Sequence, residues 1–353
     1  MEKIIFTGGG SGGHVMPAIT LIKKIQATTE WQVSYVGGRD SIERSLIAEY
    51  DVCYKPITTG KLRRYFSFQN FIDIFKVGIG LVQSFFYFLF KSPRTLVFAT
   101  GGFVSVPVVI AAKLTGKKVF IHEQTSRVGL ANKICSKFAD KIFVSFEESL
   151  NYFPKNKSFH FGYPLRDECY EREIHRSHFK DFSLKEEKPL LFLTGGGNGS
   201  LLLNNLVKND LDELLKSYRV IHQVGKAFIS EFEALGSTDY LPVAFVGSEI
   251  IDIMKSAEII ISRAGAGTVC ELMALKKRSV LIPLKIAQKN EQFHNAMEAK
   301  NKLNSLVLSE DELAELSILK VIGKFSKTSK EEQQYDFPNG TEQILKAIKA
   351  VLE

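Results

Sequence analysis

The chain has 353 residues, 45% hydrophobic and 24% charged, with 46 Lys and Arg against 39 Asp and Glu for a net charge of +7. That length exceeds the size at which one core stops growing, so two domains of roughly 160 to 180 residues are expected. The positive balance favours anionic partners, and aromatics that are mostly Phe in apolar runs, without a recognition-module motif, set nucleic acid aside.

The chain opens on Ile4-Ile5-Phe6, then Thr7-Gly8-Gly9-Gly10-Ser11-Gly12-Gly13-His14: an apolar strand, a glycine turn and the start of a helix. The strand begins at Lys3 and leaves no room for a charged and then apolar leader, so no signal peptide is expected. A glycine turn can take positive φ and bring backbone N–H groups and a positive helix end against an anion. Strands are predicted near 3–6, 32–36, 52–57, 95–99, 118–121 and 140–145, alternating with helices near 15–28, 41–49, 67–91, 103–115 and 128–137. That rhythm means βαβ units and a parallel sheet. Gly8, Gly10 and Gly13 satisfy G-x-G-x-x-G, yet Val36-Gly37-Gly38-Arg39 stands where a dinucleotide fold carries its acidic residue, which disfavours NAD. His14, at a helix start that disfavours the imidazolium, reads either as a neutral base or as a structural histidine.

Between Tyr65 and Phe90, Phe71, Ile74, Phe75, Gly78, Val82, Phe85 and Leu89 form one helical stripe, and residues 86–90 are apolar all round. Asp73, Lys76 and Gln83 interrupt the run and argue against a transmembrane span. Two readings remain: a core helix, or an interfacial patch with Lys61, Arg63, Arg64, Lys91 and Arg94 available for acidic lipid. Thr100-Gly101-Gly102 makes another glycine turn, and His122, Glu123 and Gln124 end the next strand, where ligands bind in parallel sheets. They read as wall residues or as loop-stabilising groups.

The polar stretch 166–188 reads as the linker, with His175-Arg176-Ser177-His178 solvated and lacking the context of a metal site. The alternation restarts with strands near 190–193, 219–223, 243–246, 257–261 and 279–282, and a last amphipathic helix near 339–352. Thr194-Gly195-Gly196-Gly197-Asn198-Gly199-Ser200 repeats the opening motif. Ile259-Ile260-Ile261-Ser262-Arg263-Ala264-Gly265-Ala266-Gly267-Thr268 leads into a helix whose small residues admit a phosphate, with Glu271 read as a ribose ligand or a capping carboxylate. Glu291-Gln292-Phe293-His294-Asn295 carries polar groups suited to sugar hydroxyls. The cysteines at 53, 135, 169 and 270 are scattered, three of them in apolar segments, and predict reduced, buried thiols of a cytosolic protein. No metal-ligand spacing, G-x-S-x-G or Walker lysine is present.

GGGSGGH at 8–14, GGFVSVP at 101–107, HEQ at 122–124 with GLANK at 129–133, YPLR at 163–166, GGGNGS at 195–200, SRAGAGTVCEL at 262–272 and EQFHNA at 291–296 span almost the whole chain. In this order they resemble the MurG family of peptidoglycan glycosyltransferases. The resemblance implies an α/β GT-B architecture of two Rossmann-like, doubly wound domains facing a cleft. Residues 1–163 would form the acceptor and membrane-associating domain, with the last helix, 338–353, packing back on it, and 164–337 would bind UDP-N-acetylglucosamine. It implies transfer of N-acetylglucosamine to the C4 hydroxyl of undecaprenyl-diphosphate-linked MurNAc-pentapeptide, at the inner face of the cytoplasmic membrane.

Carried over by position, Ser11, Gly12 and Gly13 would lie near the donor diphosphate and sugar, Arg166 would contact the donor, and the backbone from Val246 through Gly247 to Ile251 would hold uracil. Ala266, Gly267 and Thr268 would take the phosphates, Glu271 the ribose, and Gln292 and Asn295 the sugar hydroxyls. Thr125, Gly197 and Asn198 fall at further substrate-facing positions, with Thr125 in place of the usual Asn and Gly197 in place of the usual Ser. Glu291 replaces a common His or Gln, and Lys276-Lys277-Arg278 replaces a Gly-x-Pro style turn. The reaction expected is an inverting transfer with His14 as first choice of base and Glu123 as second. Helix N-termini and Arg166 would stabilise the leaving diphosphate without metal or cofactor. The rivals are a UDP-N-acetylglucosamine 2-epimerase on the same architecture, an NAD-dependent oxidoreductase and a non-catalytic nucleotide-sugar-binding module.

Overall fold

The computed structural model describes residues 2–60, 68–287, 290–328 and 335–353, and the chain divides into two compact units, Met1–Arg166 with Pro338–Glu353, and Asp167–Phe337. Lys61, Arg63, Arg64 and Tyr65 lie outside the described residues, as does the side chain of Phe71.

The first unit is built on a seven-stranded sheet of β1 (Glu2–Thr7), β2 (Gln32–Gly38), β3 (Cys53–Ile57), β4 (Leu96–Ala99), β5 (Lys118–Glu123), β6 (Lys141–Val144) and β7 (Ser158–His160). All neighbours pair in parallel, in the order β3-β2-β1-β4-β5-β6-β7. The order reverses between β1 and β4, so their carboxyl ends flank a switch point, where ligands bind in open α/β sheets. Successive side chains of a strand point to opposite faces. Ile4 and Phe6 therefore join a core with helix α1 (Gly12–Thr28), while Ile5, Val97 and Ile121 join another beneath α4 (Ser105–Leu114) and α5 (Leu130–Cys135). The short α2 (Ile42–Ile47) follows β2.

Helix α3 (Phe68–Leu89) packs Leu81, Phe85 and Phe88 inward and turns Ile74, Phe75, Ile79, Val82, Phe86 and Leu89 outward, Phe75 being 73% exposed. It is thus a core helix along one face and an open apolar surface along the other. Among the described residues no helix is long and apolar enough to cross a membrane.

The second unit begins with a small antiparallel hairpin, β8 (His178–Phe179) and β9 (Phe182–Ser183). Its main sheet contains β10 (Leu190–Thr194), β11 (Arg219–Gln223), β12 (Tyr240–Val243), β13 (Ile259–Ser262), β14 (Val280–Leu281) and β15 (Leu306–Val307), in the order β12-β11-β10-β13-β14-β15, again all parallel. The switch point here lies between β10 and β13. Helices α6 (Leu201–Ser217), α7 (Ile229–Phe232), α8 (Ile250–Ser256), α9 (Ala266–Ala274) and α10 (Glu291–Leu303) connect the strands, and α11 (Glu310–Ala314) and α12 (Ile318–Ser326) follow β15. The last helix, α13 (Gly340–Leu352), belongs to the first unit: Ile344, Leu345 and Ile348 enter the core of α1, and Lys24 pairs with Glu342 at 2.7 Å.

Three expectations need correction. The third strand of the second sheet is Tyr240–Val243, not 243–246, so Phe245 and Val246 follow its carboxyl end. The polar stretch after residue 166 is not a free linker. The Asp252 carboxylate, buried on α8, accepts from the His175 backbone N–H at 2.8 Å and from Arg176 Nη1 at 3.0 Å, tying it to the second unit. Cys53 is exposed because β3 is an edge strand, whereas the other three cysteines are buried and all four are free thiols.

Candidate active site

In the first unit, the turn after β1 and the turn after β4 pack back to back. Gly9 N–H donates to the Gly101 carbonyl at 3.1 Å, and Gly102, at φ +80°, lies so close that a Cβ there would collide with the Gly9 carbonyl. Helix α1 starts at Gly12, which puts Gly12, Gly13 and His14 in its first turn; His14 N–H donates to the Ser11 carbonyl at 3.2 Å, while the turn's earlier N–H groups lack helical acceptors. The space around Gly12 is open. Ser11 Oγ lies 2.9 Å from His14 Nδ1. Burial lowers the His14 pKa below the usual histidine value, against smaller upward effects of the Gly9 backbone and the Glu43 charge, so the ring is neutral near pH 7. A Cβ on Gly101 would sit 3.2 Å from the His14 ring and 3.1 Å from Asn132 Nδ2, which shows how closely these three residues adjoin.

Glu123, at the end of β5, is buried and fully engaged. Its Oε1 accepts from Thr125 N–H at 3.1 Å and faces the Thr125 hydroxyl at 2.9 Å; its Oε2 accepts from Asn132 Nδ2 at 3.0 Å and Gly129 N–H at 3.3 Å. Burial raises its pKa and these donors lower it, burial being the larger effect. The Thr125 hydroxyl also donates to the Arg127 carbonyl at 2.7 Å, so this side chain is used within the loop. His122 and Gln124 are buried too, His122 Nε2 lying 3.2 Å from the Gly162 carbonyl and Gln124 donating to the Thr100 carbonyl at 2.5 Å. They stabilise the loops rather than line an open wall. Arg166, half-buried, closes the first unit's main segment.

In the second unit, the turn after β10 has Gly196 at φ +81° and Gly199 at φ +76°, with Gly197 and Asn198 exposed at its tip. A Cβ on Gly197 would meet only Phe245, at 3.8 Å, and Phe245 is itself 58% exposed. Gln223, at the end of β11, donates to the Gly196 carbonyl and accepts from Val246 N–H. That N–H is therefore already engaged within the stretch expected at uracil, where Gly247 is exposed and Ile251 is buried in the first turn of α8.

Ala266, Gly267 and Thr268 form the first turn of α9 behind an unobstructed Gly265, an arrangement that leaves N–H groups for an anion. Glu271 stands in the second turn of α9, not the first, which removes its reading as a helix-capping carboxylate. Asn295 is buried and donates to the Ala264 carbonyl at 3.2 Å, and Gln292 Oε1 accepts from Leu284 N–H at 3.0 Å, so both shape the loops beside α9. Arg263 ties three elements: it pairs with Glu310 at 2.6 Å and donates to Ser200 Oγ at 2.8 Å and to the Ile282 carbonyl at 3.3 Å. Glu43, Asn132, Gln223 and Arg263 received no role from the sequence; Glu43, Gln223 and Arg263 each have a partner 19 or more residues away. Among the described residues, no group of three or more His, Cys, Asp or Glu side chains is placed to hold a metal ion.

Two doubly wound units, each with a glycine turn at its switch point, define the GT-B class of glycosyltransferases. The N-terminal domain profile of glycosyltransferase family 28 matches residues 4–144 and the C-terminal domain profile residues 190–351. The UDP-N-acetylglucosamine--N-acetylmuramyl-(pentapeptide) pyrophosphoryl-undecaprenol N-acetylglucosamine transferase of Clostridium tetani is 39% identical over 352 residues, 98% of this chain and 97% of that protein. The enzyme of the same name from Clostridium perfringens is 38% identical over 353 residues, 98% of each. The chain belongs to glycosyltransferase family 28 and, within it, to the family of these N-acetylglucosamine transferases. Its fold is shared with the crystal structure of Acinetobacter baumannii MurG, at TM-score 0.73 and 22% identity over 99% of this chain and 100% of that one. It is also shared with UDP-GlcNAc 2-epimerase from Methanocaldococcus jannaschii, at TM-score 0.62 and 14% identity over 99% and 100%.

Proposed function

We infer that the protein transfers N-acetylglucosamine from UDP-N-acetylglucosamine to the C4 hydroxyl of undecaprenyl-diphosphate-linked MurNAc-pentapeptide, in peptidoglycan synthesis. The observation that carries this reading is the 39% identity, over 98% of the chain, to an enzyme named for that transfer. The acceptor oxygen attacks the anomeric carbon as His14 takes its proton; the bond to the diphosphate breaks, UDP leaves, and the linkage inverts to β-1,4. His14 suits the role because its ring is held neutral at the open start of α1. Glu123, surrounded by internal donors, is the lesser candidate and serves to tie the 125–129 loop to Asn132 on α5. The donor diphosphate rests on the first turn of α9 and the ribose on Glu271. No cofactor takes part.

The outward face of α3, next to Lys91 and Arg94, supports attachment to an anionic lipid surface on the cytoplasmic side of the membrane. The epimerase shares the architecture, so fold alone does not separate the two activities. Incubation with UDP-N-acetylglucosamine, with and without the lipid-linked acceptor, does. UDP release only with acceptor is the expected result; epimer formation without acceptor rejects the reading. Removing the base in His14→Ala lowers turnover about 10²- to 10⁴-fold, more than Glu123→Gln, and near-normal turnover of the former sinks the assignment of His14.

A further inference from the structure

In a dinucleotide fold the N–H groups of the first glycine turn face the pyrophosphate. Here the turn is occupied from within. Glu43, on α2, is 1% exposed, and its carboxylate spans two loops: Oε2 accepts from Gly10 N–H at 3.1 Å and Oε1 from Gly38 N–H at 2.9 Å. The carboxylate lies so close under the turn that a Cβ on Gly9 would collide with it. Two tyrosines brace the same place. Tyr35 donates to the Gly8 carbonyl at 2.8 Å, Tyr54 to the Gly38 carbonyl at 2.7 Å, and their rings stack 5.9 Å apart. A buried carboxylate with two backbone donors is a strong and directional tie, because a charged acceptor strengthens each hydrogen bond.

We propose that Glu43 is the positioning residue of the reacting site, its carboxylate bridging Gly10 to Gly38 so that Ser11 and His14 are held in one geometry against Gly101 and Asn132. The turn is then a pre-set mount for His14, and its Gly10 N–H does not serve a ligand anion. This rests on the reading of His14 as the base, and Glu43 acts through His14 without touching substrate. The groups that face His14 are Ser11, the Gly9 backbone, Asn132 and the charge of Glu43; those that face Glu43 are Tyr35 and Tyr54, the latter also near Arg44.

The test is Glu43→Gln, in which one oxygen becomes an amide that cannot accept from a backbone N–H. Expected are a 10- to 100-fold fall in kcat, KM for UDP-N-acetylglucosamine within about 3-fold of wild type, and a His14 titration, followed by NMR and assigned with His14→Asn, moved to lower pH. Wild-type kcat with an unmoved His14 titration overturns the proposal, whatever His14→Ala does. Normal turnover of His14→Ala instead overturns the base while leaving the moved titration of Glu43→Gln as evidence for the bridge. Glu43→Asp is the second variant, to be read if Glu43→Gln does not fold. It keeps the charge but is one methylene too short to span both loops, so kcat falls there too, and wild-type kcat overturns the proposal.

Discussion

Gln223 holds Val246 by its backbone: the Val246 N–H donates to Gln223 Oε1 at 2.8 Å, while Gln223 Nε2 donates to the Gly196 carbonyl, also at 2.8 Å. One buried amide therefore sets the spacing between the second glycine turn and the stretch expected at uracil. Gln223→Ala removes both bonds and leaves a buried N–H without a partner, a cost of about 1 to 3 kcal/mol. The expected outcome is a 5- to 30-fold rise in KM for UDP-N-acetylglucosamine with kcat within about 3-fold. Calorimetric titration with UDP checks it, and an unchanged Kd contradicts it.

Buried histidines make the protein sensitive to acid. Burial pushes His222 down to about 3 and His122 down to about 4. Unfolded, both take up a proton below about pH 6.5. Between that pH and the folded value the unfolded state binds more protons, so stability is full above 6.5 and falls as pH drops. From pH 7 to pH 5 each histidine contributes a loss of about 2 kcal/mol, taken as 1.4 kcal/mol per pH unit below 6.5. His222→Phe removes one such term. Urea unfolding at the two pH values is expected to show a smaller loss in the variant, and equal losses contradict the argument.

The outward face of α3 is tested by charge. Phe75 and Phe86, 73% and 57% exposed, make few contacts with the first unit, so Phe75→Glu with Phe86→Glu leaves its core intact. Each Phe that enters an apolar phase contributes about 1.5 to 3 kcal/mol. Binding to vesicles containing anionic phospholipid is expected to fall at least 10-fold, with turnover of a soluble acceptor analogue retained. Vesicle sedimentation measures the first, and unaltered sedimentation refutes the role of this face.

Lys276 sits at φ +53° just past the end of α9, a position that favours glycine. Its ion pair with Asp336, 2.9 Å long, is solvent-exposed at both ends and offsets little. Relief of the left-handed strain, of order 1 to 2 kcal/mol, outweighs that pair and the added freedom of the unfolded chain. Lys276→Gly is therefore expected to raise the melting temperature by a few degrees in calorimetry; a lower value shows that the ion pair wins.

The architecture was legible where strands are buried on both sides. Ile4-Ile5-Phe6, Leu191-Phe192-Leu193 and Ile259-Ile260-Ile261 are short apolar runs followed within four residues by glycine, and each lies in the interior of its sheet. Edges were harder to read. β7 and β15 are three and two residues long, and Pro242 within the edge strand β12 breaks the strand pattern and moved its expected position by three residues. The position of the glycine turns and of His14 at the start of α1 was legible, because it follows from local spacing. Glu43 and Gln223 were not: their bonds to Gly10 and Val246 reach across 33 and 23 residues, and no local pattern carries a contact of that kind.

Helix α13 completes the hydrophobic core that α1 begins, with Ile344, Leu345 and Ile348 set among Ile4, Phe6 and Ile22. The first unit is thus discontinuous in the chain. Its amino-terminal part must wait, during synthesis, for all of Asp167–Phe337 to be made before the last face of its core is covered. A stop codon near residue 338 would spare every residue of the second unit and still weaken the first, the one that carries His14.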